Sequence, residues 1–199
     1  MNQPDKRNIY LYSSIIVVLI FLTYSNALQN GFVYDDNFQI LGNKWLKSFK
    51  YIPEIFTSKV WAFKNDHASN YYRPMMHLLY MLEYYIFGLK AWGFHLTNIL
   101  LHACVSILVF LTSIKLISEL KPDIPVNKAG FFSFIGASLF ATHPIHTEAV
   151  TWVASLPELS FTFFTFFRSF FISAATERIT WFGSRFSRSY WPHFQKRPP

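Results

Sequence analysis

Apolar residues gather along this chain in long runs, with little of the two-residue alternation of a half-buried strand. The first run goes from Ile9 to about Leu28, through Ile15, Ile16, Val17, Val18, Leu19, Ile20, Phe21 and Leu22, with no charge inside it. As a helix it is long enough for a hydrocarbon core of about 30 Å. A second run, Gly93 to Leu116, has His95, Asn98 and His102 as polar intrusions in a Leu, Ile and Val background. Two shorter runs follow, Gly130 to Thr142 and Leu156 to Ala174, and the polar stretch Ser118 to Ala129 separates the second from the third with Pro122, Pro125 and Asn127. The pattern predicts an all-α integral membrane protein with about four transmembrane helices, at 9–28, 93–116, 130–142 and 156–174.

The segment Pro74 to Leu89 decides the topology. It is short for a crossing, carries Glu83 near its middle, and has Tyr80, Tyr84 and Tyr85 around it. If it does not cross, Lys115, Lys121, Lys128, Arg178, Arg185, Arg188, Lys196 and Arg197 all share a side with Lys6 and Arg7. The positive-inside rule favours that arrangement, with 74–89 an interfacial helix. The expected layout is a cytoplasmic N-terminus (1–8), a truncated transmembrane domain (9–174) with a large external loop (29–92) that carries interfacial helices, a small external loop around His143 to Ser155, and a basic tail (175–199). Lys6 and Arg7 before the first run and Ser25-Asn26-Ala27 after it also fit a signal peptide cleaved at Ala27, but the apolar stretch is longer than a usual signal core.

Composition narrows the class. The chain has 199 residues, 52% hydrophobic and 20% aromatic with 23 phenylalanines, and only 15% charged, against about 25% in soluble domains. That excludes a disordered chain and argues against a soluble globule. The single cysteine, Cys104, allows no internal disulfide. A net charge of +7 on a soluble protein would point to nucleic acid; here cytoplasmic loops explain it, and no nucleic-acid partner is expected. There is no repeat of 20 to 50 residues, no Gly-rich phosphate loop and no Cys-x-x-Cys.

Three polar clusters fall in the external loops. Asn30-Gly31-Phe32-Val33-Tyr34-Asp35-Asp36-Asn37 sets two carboxylates just beyond the first span, where one can act as general base towards a hydroxyl or simply cap a helix. Asn70-Tyr71-Tyr72-Arg73-Pro74 offers Arg73, whose planar fork suits a phosphate and equally suits snorkelling to the interface. His143-Pro144-Ile145-His146-Thr147-Glu148 offers groups that can ligate a divalent cation, bond a phosphate or cap a helix, and spacing does not choose among these. Glu158, after Pro157, is a further carboxylate near the membrane surface, or a helix N-terminal charge.

The order of these strings, with Phe87-Gly88-Leu89, Gly93-Phe94-His95-Leu96-Thr97-Asn98-Ile99-Leu100-Leu101-His102 and Phe140-Ala141-Thr142-His143-Pro144-Ile145-His146-Thr147-Glu148-Ala149-Val150-Thr151-Trp152-Val153-Ala154, resembles the membrane part of the TMTC proteins over about residues 9 to 165. These are transmembrane glycosyltransferases of the GT-C class that continue into tetratricopeptide repeats. The resemblance implies a partial GT-C fold and transfer of mannose or another sugar from a polyprenyl-phosphate carrier to a protein hydroxyl, with membrane lipid around it. It implies Asp35 and Asp36 as catalytic carboxylates, Arg73, His143 and His146 as donor-phosphate ligands, and Glu148 and Glu158 as a second acidic site. A divalent metal on Asp36, His146 and Glu148 stays open, because a histidine stands where metal-using members carry a carboxylate. The expected membrane is the plasma or inner membrane of a bacterium or the endoplasmic reticulum of a eukaryote. After Phe167 the sequence departs from the family into Arg168-Ser169-Phe170-Phe171 and a basic, aromatic tail, which reads as a truncated or frame-shifted product, inactive alone. The other class in play is a non-enzymatic small polytopic membrane protein, transporter-like or an interaction subunit.

Overall fold

The computed structural model describes residues 5–64 and 71–172; Asn70 and the basic tail 175–199 lie outside them. Asp5 opens the first helix, α1 (Lys6–Tyr24), by accepting the Arg7 amide at 3.0 Å, which satisfies one of the free N–H groups of a helix start. A 3₁₀ turn, Ser25–Gln29, extends it, and Lys6–Gln29 as a whole is long and apolar enough to cross a membrane. The loop that follows contains the short helix α2 (Ile52–Thr57) and the longer α3 (Pro74–Phe87). Pro74 stands in the first turn of α3, where its missing N–H would be unpaired anyway. The second crossing-length helix is α4 (Ala91–Leu120), whose 30 residues reach about 45 Å and so overrun a core of about 30 Å.

Beyond it, α5 (Val126–Thr142) begins earlier than its apolar run, because the Pro125 carbonyl accepts the amides of Lys128 and Ala129 and closes a first turn over polar residues. Its 17 residues cover about 26 Å. The chain then turns through Pro144–His146 into α6 (Thr147–Thr151) and α7, helical over residues 156–172. Pro144–Thr151 and Val153–Ile172 meet at 100°. By length and apolar character alone, two helices among the described residues can cross a membrane, or three if that bent pair is one broken span, and the rest is helix and turn with no strand among the described residues. The protein is an all-α membrane protein.

Two apolar cores organise it. The first joins α1, α4 and α5 through Ile16 and Ile20, Ile99, Phe110 and Ile114, and Ala137 and Ala141 respectively. Ring contacts of Tyr12 with Phe110 and of Tyr24 with His102 run in opposite order along α1 and α4, so these helices are antiparallel. On α5 the buried positions Ala129, Ser133, Ala137 and Ala141 recur every four residues. A stripe of small side chains lets helix backbones approach closely where lipid gives no hydrophobic drive for association. The second core lies within the loop itself: Ile40, Trp45, Leu46, Ile55, Val60 and Phe63 pack on Met76, Tyr80 and Met81 of α3. The long loop between α1 and α4 is therefore a folded cap, continued by Phe94, Val153 and Leu156 onto the helices that carry it.

Breaking the path between α5 and α7 frees backbone carbonyls that apolar surroundings cannot satisfy. Side chains from α3 and α4 meet them. Asn98 donates to the Trp152 carbonyl at 2.9 Å, His102 Nε2 to that of Ala141 at 2.9 Å, and Tyr80 to that of Val153 at 3.3 Å.

Candidate active site

The adjacent carboxylates Asp35 and Asp36 part company because of the turn they occupy. Tyr34 has φ 47°, a left-handed conformation that costs a non-glycine residue free energy. Its side chain stays exposed, and the chain doubles back so that the Asp36 amide reaches the Val33 carbonyl and Asp36 Oδ2 accepts the Val33 amide, both at 3.0 Å. Asp36 is wholly buried, and its Oδ1 has no hydrogen-bond partner. Burial pushes its carboxyl above the usual range, the backbone N–H groups of Val33 and Ala154 pull it down, and the charge of Asp35 adds to the rise. Although Asp36 precedes the helical turn Asn37–Leu41, its side chain does not cap it. Asp35 is half-buried: its backbone carbonyl takes the amides of Phe38 and Gln39 at 3.0 and 2.8 Å, and its side chain lines open space.

That space is a trough of three adjoining cavities. One, of about 580 Å³, lies among Asn30, Tyr34, Asp35, Glu148, Thr151 and Trp152. The next, of about 370 Å³, shares Asp35, Glu148 and Trp152 with the first and adds Gln39, Arg73 and Glu158. The third, of about 760 Å³, shares Arg73 and Glu158 and is otherwise walled by groups such as Pro74, Met75, Leu79, Phe161 and Phe164. Arg73 and Glu158 pair at 3.5 Å with side chains 43% and 56% exposed, a pair too wet to matter much for stability. The Arg73 guanidinium also lies 5.4 Å from the centre of the Tyr71 ring. Residues from the loop after α1, the start of α3, α6 and the first turn of α7 thus meet at one end of the helices.

His143 and His146 sit at the same end but are not among the residues that line the trough. His143 Nδ1 accepts the Ile145 amide at 3.2 Å, so it caps its own turn. His146 packs on Phe140, ring centres 4.4 Å apart, and near His102 at 5.4 Å. Burial, then the neighbouring His143, hold the His146 imidazole below its usual value. No three His, Cys, Asp or Glu side chains among the described residues form a group able to hold a metal ion. The candidate ligands Asp36, His146 and Glu148 are therefore not brought together as a metal site; Asp36 is turned inward onto Val33, and His146 is packed among rings.

No family model matches the chain, and no solved structure matches it. Curated relatives do. The protein O-mannosyl-transferase TMTC3 of Homo sapiens is 37% identical over 148 residues, 73% of this chain and 15% of that protein. Tmtc3 of Drosophila melanogaster is 31% identical over 170 residues, 79% of this chain and 18% of its own. TMTC2 of Mus musculus is 33% identical over 143 residues, 71% and 16%. Over these residues the chain belongs to the TMTC family. It spans less than a fifth of the length of these relatives.

Sequence reasoning missed Gln39, Trp152 and Tyr80 in this TMTC-family chain. Gln39 and Trp152 line the middle cavity, and Tyr80 lies behind it with its hydroxyl 3.5 Å from Gln39 Oε1. Nothing in their own spacing marked them. A buried tyrosine on a short interfacial helix looks like any headgroup-level aromatic until the residues packed on it are known.

Proposed function

We propose that this chain forms part of a membrane glycosyltransferase that moves a sugar, mannose by the names of its relatives, from a polyprenyl-phosphate donor to a protein hydroxyl. The observation that carries the reading is the order of chemistry along the trough: an apolar groove, then the Arg73–Glu158 pair, then Asp35 with Glu148. A lipid phosphate that carries a sugar has the same order, with a prenyl chain in the groove, phosphate at Arg73 and the sugar beyond. The first cavity, past Asp35, takes the acceptor.

In this reading the acceptor oxygen attacks the anomeric carbon, its proton passes to the Asp35 carboxylate, and the bond from that carbon to the phosphate oxygen breaks, leaving its electron pair on the phosphate. Arg73 neutralises the charge that develops there. Asp35 is the base because it faces the trough, whereas Asp36 is spent on the Val33 turn. Glu148 and Glu158 make the second acidic side, and Glu158 orients Arg73. His143 and His146 shape the loop that carries Glu148.

The test is transfer of labelled mannose from polyprenyl-phosphate mannose to acceptor protein in membranes that contain the chain, alone or as the N-terminus of a longer TMTC protein. Asp35→Asn should lower transfer by about 10²- to 10⁴-fold, while Asp36→Asn, which keeps the Val33 bond, should cost far less. Undiminished transfer in Asp35→Asn rejects it as base. Absence of both transfer and donor binding favours a non-enzymatic polytopic protein.

A further inference from the structure

Neither the base nor the phosphate partner uses Gln39. It is only 7% exposed, yet it lines the middle cavity beside Asp35, Arg73, Glu148, Trp152 and Glu158. Its Oε1 accepts the Tyr80 hydroxyl at 3.5 Å, and that hydroxyl also reaches the Val153 carbonyl at 3.3 Å. Tyr80 is wholly buried; its burial, then the charges of Glu83, Asp36 and Glu158, keep the phenol protonated far above its usual range. The single phenol proton, which does not ionise, is shared between the Val153 carbonyl and Gln39 Oε1, and that shared contact turns the oxygen end of the amide towards α3. The nitrogen end makes no hydrogen bond to any described residue. A nearly buried amide left half-used is the kind of donor a fold keeps for something that enters.

The wall chemistry says what enters. Three carboxylates, one amide, the hydroxyl residue Ser155 and one indole surround the space, and the single guanidinium is drawn to Glu158 at its edge. A second anion would meet repulsion there. Neighbouring hydroxyls, each both donor and acceptor, pair well with carboxylates and amides, and the C–H face of a sugar ring packs on an indole. At about 370 Å³ the cavity is at the small end of ligand sites, suited to one ring and not to a chain.

We infer that the middle cavity holds the sugar ring of the donor, and that Gln39, fixed by Tyr80, is a positioning residue whose amide nitrogen donates to a ring hydroxyl. The inference rests on the glycosyltransferase reading above and assigns the sugar its own place in the trough.

The test is binding, with the 199-residue chain in lipid nanodiscs and two probes: a short-chain prenyl-phosphate mannose, and the same prenyl phosphate without sugar. Wild type should bind the mannose-bearing probe more tightly. Gln39→Met should weaken that probe by roughly three- to tenfold, the worth of one hydrogen bond, and leave the sugar-free probe unchanged. Tyr80→Phe, with Gln39 left in place, should weaken the same probe less, and the double variant should be no worse than Gln39→Met alone. A merely structural role would lower both probes together. Equal weakening of both, no weakening, or additive losses in the double variant overturns the assignment of Gln39 and leaves the glycosyltransferase reading standing. Wild-type chain that binds neither probe takes down that reading and this inference with it.

Discussion

Glu83 and His77 are both buried on α3, and they carry opposite liabilities towards pH. Burial lifts the Glu83 carboxyl to about 8, since the nearby Thr97 hydroxyl, committed to the Gly93 carbonyl at 3.1 Å, pulls it down only weakly. Burial lowers His77 to about 4, and its Nδ1 lies 3.2 Å from the Asn43 amide, which donates to the neutral ring. The folded state keeps the Glu83 proton that the unfolded chain loses above pH 4.5, so stability present below that point is lost as pH rises towards 8. For His77 the unfolded chain takes a proton below pH 6.5 that the folded state refuses until about 4, so stability is lost as pH falls through that window. Glu83→Gln should therefore stabilise the fold more at pH 8 than at pH 5, by on the order of a few kcal/mol at most, read as a larger rise of the detergent melting point at pH 8. An equal rise at both values would show that Glu83 is not held neutral. The sequence displayed Glu83 only as a flaw in an apolar run, because its neighbours come from a helix that follows a turn. It could not choose between Asp35 and Asp36 either, since their directions depend on the backbone of Tyr34.

At the scale of elements, the corner between α3 and α4 depends on two glycines. Gly88 has φ 65° and ψ −142°, a region open to glycine almost alone. At Gly93 an added Cβ would collide with the Phe87 ring, so the start of α4 can lie against the end of α3 only without a side chain there. Gly88→Ala should destabilise by about 1–3 kcal/mol through backbone strain, seen as a lower detergent melting point. No change would mean that the corner relaxes freely and does not fix α3 on the trough. Hydropathy makes α1 and α4 legible because lipid demands continuous apolar surface. It does not reveal the folded cap, whose buried Trp45, Leu46, Ile55, Val60 and Phe63 are irregularly spaced on short turns. Their partners on α3 had to be seen.

For the whole molecule, Lys6 and Arg7 begin α1, while Lys121 and Lys128 flank the turn between the antiparallel α4 and α5, so these cations share one end and the trough lies at the other. Under the positive-inside rule we predict that the cation end faces the cytoplasm. In a Cys104→Ser background, Lys50→Cys and Thr147→Cys should react with an impermeant maleimide from the outer side of sealed membranes, and Asp123→Cys only after permeabilisation. Labelling of Asp123→Cys before permeabilisation would reverse or break this topology. The membrane class of the chain was legible from composition, whereas the trough was not, because it joins residues as distant as Asp35, Arg73 and Glu158 through the 100° bend. The bend bears on anyone who would re-engineer the chain. Asn98, His102 and Tyr80, which serve the open carbonyls around it, look like blemishes when the helices are scored for hydrophobicity. A redesign towards better membrane insertion would replace the first two with leucine, score as an improvement, and unfasten the corner on which Glu148 and Trp152 are presented.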